Sequence, residues 1–246
     1  MLKISQTSHE SFQRYLKMKK KPQEHEEKLW RKVYKHASFL RFIPGILLVW
    51  VWNSLSMNNC HKGSDIDLFI IARKNRLWTV RVFTTLYFSL LWLRKTWNNH
   101  AGKFCLSFFI TEDALSFKNI AIKNDIYLYF WILYMKPIIN KDNTYNRFIK
   151  ENKKWCNFSQ YQDIFESNLS YIQYTGVPYK ERFFHLYQDI PEGIFKSLFL
   201  SWTKKSFQKL WKPFWVIISD DMLKFHNKDR REEIRDIFYS SFEEKY

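Results

Sequence analysis

Glycine is scarce in this chain: Gly45, Gly63, Gly102, Gly176 and Gly193 are the only five among 246 residues, and they lie far apart. Neither a Walker phosphate loop nor a dinucleotide fingerprint can be assembled from them, since both need clustered glycines where backbone meets phosphate. Cysteine is rarer still. Cys60, Cys105 and Cys156 form no C-x-x-C pair, which argues against a disulfide framework and a zinc knuckle and fits a reducing, cytoplasmic compartment. No G-x-S-x-G nucleophile elbow occurs. The apolar runs Ile43 to Trp52, Leu77 to Leu93 and Ile126 to Met135 fall short of the ~20 residues of a spanning helix, and the middle one carries Arg81. The polar segment Met1 to Lys21 has no apolar stretch of the kind a secretory signal needs.

Acidic residues are also in deficit, with 24 Asp and Glu against 40 Lys and Arg, so the formal net charge is +16. Such an excess suits a polyanionic partner: RNA, DNA or an anionic membrane surface. An AT-rich coding sequence, with frequent Lys, Asn, Ile, Phe and Tyr, would leave the same excess in any protein, so both origins stay open. What is abundant is bulk. Aromatic residues make up 20% of the chain and hydrophobic residues 46%, enough for a globular core filled by large side chains.

Leu29, Val33, Ala37 and Leu40 recur at helical spacing and predict an amphipathic helix over Lys28 to Ile43, with Lys28, Arg31, Lys32 and Lys35 on its other side. Pro44 and Gly45 punctuate the chain, and Ile46 to Trp52 reads as a buried strand. A polar spacer leads to a second strand, Asp65 to Ala72. Leu77 to Arg94 reads as a long helix, Lys103 to Thr111 as a third strand, and Asp125 as the cap of a helix that runs to about Lys136 before Pro137. Beyond Asn143 the signals are helical or irregular. Three segments are expected: a polar and basic extension at 1–27, an α+β domain at 28–142, and a mainly helical region at 143–246.

One constellation carries chemistry. In Asn53-Ser54-Leu55-Ser56-Met57 a strand ends in a small polar turn, and in Ser64-Asp65-Ile66-Asp67-Leu68 another strand opens with two acids one residue apart. Alternation along a strand points Asp65 and Asp67 the same way. Two converging carboxylates repel unless a cation lies between them, and oxygen ligands favour a hard one such as Mg2+, or Mn2+. Ser54 can offer its hydroxyl and neighbouring N–H groups to phosphates.

These residues resemble the DNA polymerase β-like nucleotidyltransferase superfamily, whose signature is an apolar strand, Gly-Ser or Gly-Gly, a spacer, and then acid, apolar residue, acid. The wider stretch from Leu29 to Asn140, and less strongly Ser219 to Arg231, looks like a group of largely uncharacterised bacterial nucleotidyltransferase-domain proteins. The resemblance implies a mixed sheet flanked by helices, followed by a mainly helical C-terminal region. It also implies an enzyme transferring a nucleoside monophosphate from an NTP to an acceptor, with Asp65 and Asp67 as catalytic metal ligands and Asn53, Ser54 and Ser64 at the nucleotide. Two departures stand out: Asn53 replaces the usual glycine, and the strand Lys103 to Thr111 contains no third acid, the nearest being Glu112 and Asp113. The alternative is a catalytically impaired subunit of the same fold that binds or assembles with a protein partner.

The acceptor stays open between RNA, a protein hydroxyl and a small molecule. Lys153-Lys154 and Lys204-Lys205, with Trp155, Trp202, Trp211 and Trp215, read as solvated helix faces or as a grip on single-stranded nucleic acid. A peripheral membrane contact through aromatics and lysines is a further reading. His226 beside Asp229 and Arg231 reads first as a cap and ion-pair partner, and second as a phosphate contact or general base. His61 reads as a solvated loop histidine, and Glu112 with Asp113 as a cap.

Overall fold

The computed structural model describes residues 1–96, 98–175, 191–207, 216–225 and 229–243. In chain order the elements begin with β1 (Leu2–Lys3), α1 (Gln6–Tyr15), α2 (Glu24–His36), β2 (Ile46–Trp52), α3 (Asn53–Ser56) and β3 (Ile66–Ala72). They continue through α4 (Leu77–Leu90), β4 (Phe104–Thr111), α5 (Ile126–Tyr134), β5 (Lys136–Asn140), α6 (Thr144–Lys153), β6 (Cys156–Asn157) and α7 (Gln162–Leu169). The last are α8 (Glu192–Phe207), β7 (Val216–Ile218), β8 (Met222–Phe225) and α9 (Arg231–Glu243).

Every residue of β2, β3 and β4 is buried, which is why these strands read as unbroken apolar runs and not as alternating ones. They form the middle of a six-stranded mixed sheet ordered β5-β2-β3-β4-β8-β7, in which only β3 and β4 run parallel. Alternate side chains feed two cores. Trp50, Trp52, Phe69, Ile71 and Phe108 face α1, α5, α6 and α9, where Trp52 meets Trp131 at 4.6 Å and Trp50 meets Phe148 at 4.6 Å. Val49, Val51, Leu68, Ile70 and Phe109 face α2, α4 and α8. Each fully buried side chain of this size contributes ~1.5–3 kcal/mol of transfer free energy. The result is an α+β architecture, a mixed sheet covered by helices on both faces.

Several sequence expectations shift. The amphipathic helix starts at Glu24 and gives way to a 3-10 turn, Ala37–Phe42, so the apolar spacing continues through a tighter winding. Asp125 does cap α5, accepting from the Leu128 N–H at 3.0 Å. The helix stops at Tyr134, however, and Pro137 lies inside a strand, paired with Trp50. Proline is tolerated there because β5 is the edge strand. The part beyond Asn143 is not wholly helical, since β7 and β8 extend the sheet beyond β4.

The first residues of the chain pack as well: Phe12 of α1 is fully buried, and β1 pairs in parallel with β6. Among the described residues no helix is long and apolar enough to cross a membrane.

Candidate metal and nucleotide site

The end of β2 and the starts of β3 and β4 meet at one end of the sheet. In register, Asp67 lies between Trp52 on β2 and Cys105 on β4. Asp65 lies just before β3, less buried than Asp67. One ligand atom each from Asp65, Asp67 and Cys105 falls within a span of 4.8 Å. The two acids therefore do share one spot, and the parallel β3–β4 register supplies a thiol as the third group.

Asn53 opens α3 with a left-handed backbone, φ 59°. Asparagine tolerates this conformation at lower cost than most side-chain-bearing residues, so it can occupy a turn of the kind glycine often makes. Its amide Nδ2 donates to Asp67 Oδ2 at 2.9 Å, while its Oδ1 is buried without a hydrogen-bond partner. The chain Leu93 to Lys95 runs alongside β4: Phe104 N–H donates to Leu93 O and Lys95 N–H to Phe104 O. That strap delivers the Lys95 ammonium to Asp65 Oδ2, 2.6 Å away.

Burial, and next the charge of Asp65, push the Asp67 carboxyl up to about 6, against weaker pulls from Asn53, Cys105 and Lys95. Burial raises the Cys105 thiol well above its ordinary value, and Asp67 adds to the effect. Burial opposes the charge on Lys95, but Cys105 and Asp65 outweigh it and its pKa is raised. A divalent cation would favour the ionised form of Asp67 and share Asp65 with Lys95.

Ser54 and Ser64 hold the spacer loop. Ser54 Oγ accepts a 3.5 Å contact from Cys60 Sγ, and Ser64 Oγ accepts the His61 N–H at 3.0 Å. The exposed His61 accepts the Gly63 N–H at Nδ1, a local turn contact. The loop is also clamped from the N-terminal segment: the fully buried Glu26 accepts the Cys60 N–H at 2.8 Å, and Asn59 Nδ2 donates to Leu16 O at 3.0 Å.

Glu112 and Asp113 lie beyond the other end of β4, bound to Arg147 at 3.0 Å and Lys74 at 2.9 Å respectively. Asp229 and Arg231 form a buried ion pair; His226, for which the cap and ion-pair role was expected, lies outside the described residues.

No protein-family model, curated protein or solved structure matches this chain. Its chemistry rests on what these residues can do.

The remaining basic candidates are mostly engaged. Lys28 pairs with Glu24, Lys154 with Glu151, and Lys153 donates to Gln162. Trp155 donates to Asn152 Oδ1 at 3.0 Å. The side chains of Trp202, Lys204 and Lys205, together with Trp211 and Trp215, lie outside the described residues. Leu90, the last residue of α4, is 69% exposed and Trp92 just beyond it 84%, the most open large apolar side chains among the described residues apart from Met1.

Cys105 and Lys95 escaped the sequence reading. Neither lies near the Asp-x-Asp run in sequence, and only the β3–β4 register and the Leu93 to Lys95 strap bring them in.

Proposed function

We propose that the chain is a divalent-cation-dependent nucleotidyltransferase, moving a nucleoside monophosphate from an NTP to an acceptor. The observation that carries this reading is the convergence of Asp65, Asp67 and Cys105 where β2 turns into α3. Two carboxylates and a thiol suit Mn2+ at least as well as Mg2+, because the sulfur is a softer donor than Mg2+ selects. The ion, when bound, neutralises charge on the phosphoryl oxygens and orients them. Asp65 and Asp67 hold it. Asn53 fixes the rotamer of Asp67, and the turn from Asn53 to Ser54 presents backbone to phosphate. Lys95, which pairs with Asp65 in this structure, would supply a positive charge to the phosphate side of the site. The acceptor proposed first is RNA, which the +16 charge would attract; a protein hydroxyl and a small molecule are the other classes.

A second reading has its own support. Both carboxylates already have internal partners, Asn53 on Asp67 and Lys95 on Asp65. A site closed in this way suits a subunit of the same fold that binds or assembles and performs no transfer.

Incubation with labelled NTPs, Mn2+ or Mg2+, and total RNA or lysate protein separates the two. Transfer that is lost in D65A/D67A supports the enzyme. No transfer by wild type, or equal transfer by the double variant, overturns it. Mn2+ titration followed by electron paramagnetic resonance then tells whether the site holds a cation at all.

A further inference from the structure

Lys136, the first residue of β5, is a buried cation with no counter-ion among the described residues. It is 8% exposed; its ammonium donates to Asn168 Oδ1 at 2.6 Å and lies 4.9 Å from the centroid of the Tyr171 ring. Neither group carries negative charge, and among the described residues no carboxylate pairs with it. Burial alone draws its pKa down to about 8. An uncompensated buried ammonium is costly, and a ligand of opposite charge would remove that cost.

Lys136 also lines a cavity of about 640 Å³ bounded by α1, the turn after α3, the end of α5 and α7. Arg14, Lys19 and Lys20 line the same cavity, against one carboxylate, Glu10, which accepts from Gln6 Nε2 at 2.9 Å. Among the described residues the Lys19 and Lys20 ammonium groups make no hydrogen bond or ion pair. Ser56, Asn58, Ser167 and Ser170 add short polar groups. The volume falls in the range of small-molecule sites and exceeds what a bare ion needs.

We propose that this cavity binds a phosphate-bearing small molecule, with Lys136 at its base and Arg14, Lys19 and Lys20 around the phosphate. None of Asn53, Ser54, Ser64, Asp65 or Asp67 lines it, so the site is independent of nucleotidyl transfer. The titratable groups facing Lys136 in the cavity are Glu10, Arg14, Lys19, Lys20, Tyr134 and Tyr171. Burial raises both phenols, and burial first of all lowers His9, which bonds the Tyr134 hydroxyl at 3.0 Å. Near pH 8 these three are neutral, and Lys136 is the group whose protonation an anion changes.

Calorimetric titration of the full chain in EDTA at pH 8, in two buffers of different ionisation enthalpy, tests the site. Inorganic phosphate and glucose 6-phosphate are expected to bind saturably with fractional proton uptake, and glucose not to bind. K136M should lose affinity by about tenfold or more and lose the proton uptake, as expected when a charge-assisted contact is removed. K19S/K20S should weaken binding and keep the uptake, and D65N/D67N should bind as wild type does. Absence of saturable binding, undiminished binding in folded K136M, or loss of binding in D65N/D67N overturns the proposal. If K136M does not fold, undiminished binding by K19S/K20S overturns it.

Discussion

Two clusters of buried charge in this molecule are built in opposite ways. Around Arg231, Asp125 and Asp229 accept at 2.8 Å, Lys224 closes on Asp229 at 3.0 Å, and all four side chains are almost fully buried. Two cations meet two anions, and the spare Asp125 oxygen valences take the Ile122 and Leu128 N–H groups. Around Asp67 two carboxylates and a thiol gather; Lys95 pairs with Asp65, while Asp67 is met by the uncharged Asn53 amide. The titration of like residues shows the contrast. Burial pushes Asp229 up, but Arg231 and Lys224 outweigh it and hold it at about 2; at Asp125 burial outweighs Arg231 and raises the carboxyl, and burial and Asp65 push Asp67 to about 6. The Arg231 cluster is closed by mutual ion pairs, whereas the Asp67 cluster has the perturbed carboxyl that the proposed cation site calls for.

The largest effect should come from breaking the closed cluster. R231M leaves Asp125 buried without a cation and Asp229 with Lys224 alone, and is expected to cost ~3–5 kcal/mol in urea unfolding. A loss under about 1 kcal/mol would erase the contrast.

The pH dependence comes next. Asp67 has a raised folded pKa, so the metal-free protein loses stability as pH rises from about 4 to about 6, by roughly 3 kcal/mol at most. Asp229 has a lowered one, so its stabilisation is full above about 4 and is lost as pH falls towards about 2. Unfolding of D67N across about pH 2 to 7, roughly the window these pKa values define, should show a smaller first decline and keep the second. Identical profiles for D67N and wild type would contradict the assignment.

Adding Mn2+ at about 100-fold over its Kd should stabilise wild type by ~2.7 kcal/mol. D65N/D67N should gain nothing, and C105S should respond with weaker affinity. Equal stabilisation of all three would place the ion elsewhere. The smallest change belongs to K95M, whose half-exposed ion pair is worth under ~1 kcal/mol to stability. Its mark should instead be a higher Asp67 pKa, read by carboxyl carbon NMR.

These expectations also show what the sequence could and could not disclose. Strands β2, β3 and β4 were legible because burial on both faces leaves continuous apolar runs. Asn53 was legible as the start of a polar turn, and Asp65 and Asp67 as partners, because strand alternation is local. Cys105 was not. Nothing near residue 105 announces that β4 will lie parallel to β3 in the register that sets it beside Asp67. Lys95 was hidden similarly, as the polar end of a helix that continues into a strap. Strand β5 was missed because Pro137 reads as a stop, although an edge strand can leave an N–H position vacant. Strands β7 and β8 were missed because three or four residues carry too little periodicity to register.

That edge strand has a bearing on how the protein keeps to itself. A sheet this rich in Trp, Phe, Ile and Val is a template for cross-β stacking wherever its border lies open. At β5 the border is shut twice over: Pro137 has no hydrogen to donate, and Gln173 and Tyr174 occupy the next positions through Gln173 N–H to Ile138 O and Asn140 N–H to Tyr174 O. Opening it, with P137V together with a proline at Gln173, should convert a soluble preparation into one that binds thioflavin and sediments on warming.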